Sequence, residues 1–399
     1  MALTDLARAG TERDAAAPTA DARPDAVRGG GVLVHEWIER TGGAERVLDH
    51  LVEEFPGAPV VCLWDDAPGR YPGTTVRESA LARTPLRRHK ALTAPLMPSV
   101  WHGRWSGVED PEWVLATSHS FGHHFCTGPA ARGARTLAYV HTPARFLWAP
   151  ESDPRGRHPV VGLAAPALRQ VDRRRSRRLD DLAANSRYVR ARIALSWGRD
   201  ARVIYPPVDV AALTRVADWA DEVTGAERAV VDSLPPTYVL GASRLVAYKR
   251  LDLVIRAGEA AGLPVLLVGE GPQAGQLAEL AAAASVPVRF LGAVSDALLR
   301  LLMQRALAYV FPPVEDFGIL PVEAMALGAP TVVNAEGGAR ESVERLGLGV
   351  VAESLDDAGL RRAVEAAAAL PRADVSALAE RTFGVRRFRR EVRDWVDGG

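Results

Sequence analysis

Cysteine is almost missing: Cys62 and Cys126 are the only two in 399 residues. No disulfide framework organises such a chain, and the composition suits a reducing compartment. Long apolar runs are missing too. No stretch reaches bilayer-spanning length and the N-terminus lacks the apolar core of a signal peptide, so the cytoplasm is the default expectation. Neither sign of charge is in excess, since Lys plus Arg and Asp plus Glu each number 49, and the balance carries no nucleic-acid signal. Internal repeats and coiled-coil heptads are absent. What remains is a 48% hydrophobic chain, long enough for two domains with a core each.

The punctuation of the chain suggests where those domains lie. Residues 1–28, rich in Ala, Asp, Arg, Thr and Pro without apolar periodicity, read as a mobile tail. A first domain is expected over 29–205, a hinge at Arg202–Asp209, and a second domain over 206–375. From Thr382 to Trp395 basic residues alternate with Phe383, Phe388, Val392 and Trp395 as in a helix.

The densest chemistry lies in FPPVEDFGILPVEAMALGAP, from Phe311 to Pro330. Ala308–Phe311 reads as a buried strand, Glu315–Gly318 as a turn, and Pro321 falls in the first turn of a helix. The free amides of Phe317, Gly318, Ile319 and Leu320 then offer a phosphate cradle at the positive end of a helix dipole. Glu315 and Glu323 flank that cradle, and carboxylates accept hydrogen bonds from hydroxyl groups. A phosphate between two polyols, the layout of a sugar nucleotide, suits this arrangement. By themselves the two residues equally suit a plain loop position and a first-turn charge complementing the dipole. Arg244 and Lys249 shift that balance, because they follow the strand-like run Tyr238–Ala242 in a loop before the next helical pattern. In an open parallel sheet, loops at the carboxyl ends of strands line one crevice, where two cations neutralise a diphosphate.

The strings SRLVAYKR, LLVGEGP, FLGAVS and EDFGILPVEAMALGAPTVVNAEGG resemble the donor half of a retaining glycosyltransferase of family 4, with the GT-B fold. The likeness covers most of residues 236–350. It implies an α/β protein of two Rossmann-like domains facing each other across a cleft, with residues 376–399 forming a C-terminal helix that packs back on the first, acceptor-binding domain. It further implies that Arg244 and Lys249 bind the diphosphate, Glu315 the donor sugar, Glu323 the ribose, and the amides near Gly318 to Leu320 the distal phosphate. Gly269 and Gly271 would allow close approach to the nucleotide, and Val294 would pass the base. In the first half, Gly42 and Gly43 match the family's Gly-Gly turn beneath the donor, although a tight turn needing positive φ would also call for glycine. The segment from His141 to Trp148, HTPARFLW, is similar to one in bacterial polysaccharide mannosyltransferases and related rhamnosyl or glucosyl enzymes; by that likeness His141 would face the donor sugar.

The expected reaction is therefore transfer of a hexose from a nucleotide sugar to a glycan or lipid-linked acceptor in cell-envelope polysaccharide or glycoconjugate biosynthesis. GDP-mannose is the first expectation for the donor, with other GDP- or UDP-hexoses and dTDP-rhamnose next. No Asp-x-Asp triplet occurs, so neither a metal nor a separate cofactor is expected. A sugar-nucleotide epimerase and a non-catalytic sugar-nucleotide-binding subunit are the alternatives, and Glu315 with His141 favours the enzyme. His119, His123 and His124 have no accompanying Cys or carboxylate cluster and read as a solvated or acceptor-facing loop rather than a metal site. Two basic clusters, one of Arg83, Arg87, Arg88 and Lys90 and one between Arg169 and Arg178, suit either an anionic membrane surface or solvated helix faces.

Overall fold

A computed structural model describes residues 30–398; the expected tail lies outside the described residues. Short apolar runs form two all-parallel sheets. The first has β1 (Gly31–His35), β2 (Val60–Cys62), β3 (Val76–Glu78), β4 (Trp113–Ser118), β5 (Arg135–Val140), β6 (Asp181–Ala184) and β7 (Arg202–Val203) in the order 3-2-1-4-5-6-7. The second has β8 (Val239–Ala242), β9 (Val265–Val268), β10 (Val288–Gly292), β11 (Ala308–Phe311), β12 (Thr331–Asn334) and β13 (Gly349–Ala352) in the order 10-9-8-11-12-13.

Both faces of each sheet are covered, which is why these strands read as continuous apolar runs rather than alternating ones. Val32 and Val34 enter one core of the first sheet, while Leu33, one residue away, enters the core on the opposite face. In each sheet the strand order reverses at one place, between β1 and β4 and between β8 and β11. Loops leaving the carboxyl ends of those four strands open a crevice. Glu315 follows β11, Arg244 and Lys249 follow β8, and Gly42 and Gly43 follow β1.

The chain passes to the second sheet beyond Tyr205 and returns at Gly384, and the two passages touch, with the Val208 amide donating to the Phe383 carbonyl at 2.9 Å. Instead of one helix from Thr382, two helices form, Ser376–Phe383 and Val385–Val396, separated by Gly384 in extended backbone. The second helix returns to the first sheet, where Phe388, Val392, Trp395 and Val396 share a core with Leu33, Leu51, Leu115 and Ile204. Trp395 Nε1 donates to Asp181 at 2.8 Å. Cys62 and Cys126 are both buried free thiols. Among the described residues, no helix is long and apolar enough to cross a membrane.

Candidate active site

Lys249 and Glu315, 66 residues apart in sequence, meet because their loops leave the adjacent strands β8 and β11: Nζ donates to Oε1 at 2.6 Å. Arg244, exposed on the Lys249 loop, turns toward the Tyr248 hydroxyl at 2.8 Å. Gly318 adopts φ 88, a left-handed conformation that β-carbons disfavour, and starts the Ile319–Ala326 helix, whose first amides carry no side-chain cap. Phe317 contributes an amide only. Its ring is buried against Tyr205 and Phe383, with centroids 5.7 and 5.5 Å away.

The remaining donor-side positions make packing contacts within the donor half. Gly269 and Gly271 allow close approach of backbone from the neighbouring loop, since a β-carbon would fall 1.9 Å from the Ser243 carbonyl oxygen and 2.5 Å from that of Leu245. They seat the loop that carries Arg244. Val294 is partly buried against the donor-half core. A second glycine pair, Gly337 and Gly338, does the same beneath the glutamate loop, and the Gly338 amide donates to the Glu315 carbonyl at 2.7 Å. The signal in the sequence was two adjacent glycines shortly after β12.

On the acceptor side, Gly42 has φ 172 and Gly43 opens the Gly43–Glu54 helix without positive φ, so the turn itself does not demand glycine. A β-carbon on Gly43 would lie 3.8 Å from Ile319 Cδ1, across the cleft. One residue further into that helix past Glu45, Arg46 reaches over and donates from Nη1 to Glu323 Oε1 at 2.9 Å. The expected ribose ligand is thus held by a cation of the other half. His141 is partly buried at the end of β5, with its ring against Tyr139 (5.3 Å) and His119 (6.3 Å), both of the first half. Its Nε2 has no hydrogen-bond partner among the described residues. Burial, reinforced by nearby His35, pushes its pKa down to about 3, so the imidazole is neutral.

Sequence reasoning missed the residues that join the halves. Asp316, buried beside Glu315, accepts from Arg145 Nε at 3.0 Å and from Arg192 Nη1 at 2.9 Å, both from the first half. Ser186 Oγ donates to the Asp316 carbonyl at 2.5 Å. Burial alone would lower the Arg145 pKa, but the Asp316 and Glu315 carboxylates outweigh it and raise the value. In the opposite sense, Glu341 of the second half accepts from the amides of Arg187 and Tyr188 at 2.9 Å each and from the Tyr205 hydroxyl at 2.9 Å. A carboxylate thereby caps a helix of the other half.

One expectation needs correction. His123 and His124 are not on a solvated loop: both are fully buried, and Asp172, 48 residues beyond His124, supplies the missing carboxylate. Their Nε2 atoms lie 3.0 and 2.9 Å from Asp172 Oδ1, while the indoles of Trp148 and Trp197 each donate to Oδ2 at 2.7 Å. The trio has metal-ligand spacing. Arg175 donates to His124 Nδ1 at 3.0 Å, which leaves the His124 proton on Nε2 facing Asp172. Burial, then His123, pushes the His124 pKa down to about 3. In the basic run from Arg169, Arg169, Arg173, Arg174, Arg177 and Arg178 stay exposed, although several of its guanidiniums also reach backbone carbonyls. Arg169, Arg173 and Arg177 donate to the carbonyls of Leu147, Ser196 and Trp197 at 2.8, 2.8 and 3.1 Å, and Arg175 also reaches the Pro98 carbonyl.

Two Rossmann-like parallel sheets with cations, carboxylates and a helix start meeting at their carboxyl edges define a glycosyltransferase architecture of the GT-B type. Residues 41–212 match the model "Glycosyltransferase Family 4" and residues 227–380 match "Glycosyl transferases group 1". The chain belongs to the family 4 glycosyltransferases. A GDP-mannose-dependent alpha-(1-6)-phosphatidylinositol monomannoside mannosyltransferase of Mycobacterium tuberculosis is 31% identical over 230 residues, 53% of this chain and 58% of that protein. The D-rhamnosyltransferase WbpZ of Pseudomonas aeruginosa is 35% identical over 105 residues, 25% of this chain and 28% of that one. The match therefore spans little more than half of the mycobacterial relative. Among solved structures, Anabaena Alr3699/HepE in complex with UDP superposes with a TM-score of 0.68 at 18% identity, covering 92% of this chain and 100% of that one, which shows the shared fold.

Proposed function

We propose that the protein transfers mannose from GDP-mannose, with retention of anomeric configuration, to a glycan or lipid-linked acceptor of cell-envelope polysaccharide or glycoconjugate synthesis. The observation that carries this reading is the 2.6 Å meeting of Lys249 and Glu315 beside the uncapped start of the Ile319–Ala326 helix. Cleaving the bond between sugar and diphosphate builds negative charge on the departing phosphates. Lys249, Arg244 and the amides from Phe317 to Leu320 take up that charge, in place of a metal. Glu315 accepts from hydroxyls of the sugar, Glu323 accepts from the ribose once Arg46 gives way, and neutral His141 faces the sugar from the other half. The acceptor hydroxyl attacks from the side of the leaving group, and a donor phosphate oxygen receives its proton.

The GDP-mannose dependence of the mycobacterial relative supports the choice of donor, and the UDP in the Anabaena protein supports a nucleotide-sugar donor in general. Exposed Arg83 and Arg88 beside Leu92 and Leu96, 41% and 46% exposed, support contact with a membrane surface where a lipid-linked acceptor resides. The test is incubation of EDTA-treated protein with GDP-mannose and a lipid extract, read by mass spectrometry and by NMR of the product's anomeric centre. Retained configuration without metal is expected. Isomerised donor, binding without transfer, an inverted product, or activity that returns only with manganese would each overturn the reading.

A further inference from the structure

Glu315 is gripped from both halves at once. Its Oε1 takes Lys249 of its own half at 2.6 Å, and its Oε2 lies 3.7 Å from Arg145 Nη2 of the other half. Arg145 in turn is not free to turn away, because the same guanidinium is paired with the Asp316 carboxylate. All three side chains are largely withdrawn from solvent, with relative exposures of 20% for Arg145, 17% for Glu315 and 12% for Asp316. Screening by water, which makes surface ion pairs weak, is correspondingly reduced.

The backbone is held in the same place. Ser186, two residues past β6, caps the following helix, accepting from the Val189 amide at 3.0 Å, while its proton goes to the Asp316 carbonyl at 2.5 Å. From below, Gly338 donates to the Glu315 carbonyl. Arg192 binds Asp316 from the helix after β6 but makes no contact with Glu315. The clamp thus has one member that reaches Glu315, Arg145, and one that does not, Arg192.

Resting on the transfer reaction proposed above, we infer that Arg145 is a positioning residue for Glu315: oriented by Asp316, it sets the carboxylate for the donor sugar only when the two halves are docked. A planar fork suits this task, since one guanidinium can serve two adjacent carboxylates, whereas an ammonium acts as a point charge. The Arg of HTPARFLW and the Asp of EDFG, 171 residues apart, then form one device linking cleft closure to the sugar site. Opening the cleft withdraws Arg145 and leaves Glu315 to Lys249 alone.

The experiment compares Arg145→Met, Arg145→Lys and Arg192→Met in the full chain. It measures turnover of GDP-mannose, calorimetric affinity for GDP, melting temperature, and hydrogen exchange of the peptide containing residues 312–320. Arg145→Met should lose kcat on the order of 100-fold, the scale of a misplaced reacting group, while GDP affinity stays near the parent value. Arg145→Lys should recover part of that loss. Arg192→Met should loosen the halves as much by melting temperature, yet keep a kcat at least about tenfold above that of Arg145→Met. Exchange over 312–320 should rise more in Arg145→Met than in Arg192→Met. Equal kcat losses tracking equal drops in melting temperature would reduce Arg145 to a structural tie and overturn the inference, as would parent-like kcat or a main effect on GDP affinity. Silence of the parent protein toward GDP-mannose and other sugar nucleotides would sink the proposed function instead. Exchange then decides the positioning by itself, with equal rates in the two Met variants refuting it.

Discussion

Replacing Arg46 should tighten nucleotide binding rather than weaken it. Arg46 Nη1 holds Glu323 at 2.9 Å, yet its side chain is 57% exposed against 15% for the glutamate. A pair with one partner so open to water contributes about 0–1 kcal/mol. A ribose hydroxyl donating to the same carboxylate is a hydrogen bond to a charged group, about 1.5–3 kcal/mol. The ribose therefore wins the exchange, and what Arg46 retains is subtracted from binding. Arg46→Met should lower the calorimetric Kd for GDP by up to about fivefold, whereas Glu323→Ala should raise it by about 10- to 150-fold. In the Glu323→Ala background the Arg46 substitution should do nothing, because its partner is already gone. Raising the salt should shrink the Arg46 effect and leave most of the Glu323 effect. A tenfold or greater loss of GDP affinity in Arg46→Met would refute this reasoning and make Arg46 a ligand of the donor instead of its competitor.

Lys249→Ala and Arg244→Ala should each cost about 2–4 kcal/mol of transition-state stabilisation with the fold intact by circular dichroism, and Lys249→Ala should be the worse because it also strips Glu315 Oε1 of its partner; parent-like turnover of GDP-mannose in both would sink their assignment. Acidification should destabilise the protein, since His124 and His141 have folded-state pKa values pushed down to about 3 and the unfolded chain binds their protons first. Stability present above the ordinary imidazole value of about 6.5 is lost as pH falls below it, by at most about 1.4 kcal/mol per unit for each histidine, so urea midpoints should drop between pH 7.5 and pH 5.5 and a flat profile would contradict the buried neutral assignment. Trp395→Ala removes a fully buried indole and its bond to Asp181, and should cost about 3–5 kcal/mol by denaturant titration; a loss under about 1 kcal/mol would mean that the last helix is only loosely docked.

Local pattern made the scaffold legible. Apolar runs such as Tyr238–Ala242 and Ala308–Phe311 gave away strands, and the rule that loops cluster at carboxyl edges was enough to place Lys249 and Glu315 in one crevice. What stayed hidden is what only a tertiary fold can pair. Nothing near His123 and His124 announces Asp172, and without it two adjacent histidines read as a wet loop. Periodicity counts the arginines from 169 to 178 as a charged face but cannot show that several of their guanidiniums end on carbonyls of neighbouring elements. Asp316 looked like a mere neighbour of Glu315, because its significance is supplied by Arg145 and Arg192 of the other half. The glycine between Phe383 and Val385 carried too weak a signal to divide a run of helical periodicity, although it is where the chain returns to the first half.

That return has a consequence for synthesis. The donor half is inserted into the acceptor half, with its entry and exit touching at Val208 and Phe383. A ribosome delivers residues in order, so β8 to β13 and their helices are complete while one face of the first sheet still lacks Phe388, Val392, Trp395 and Val396. The half made first finishes last. Until the final helix emerges, Leu33, Leu51 and Leu115 lack part of their cover, and a nascent chain stalled before Val385 presents apolar surface for chaperones to hold although its donor half is whole.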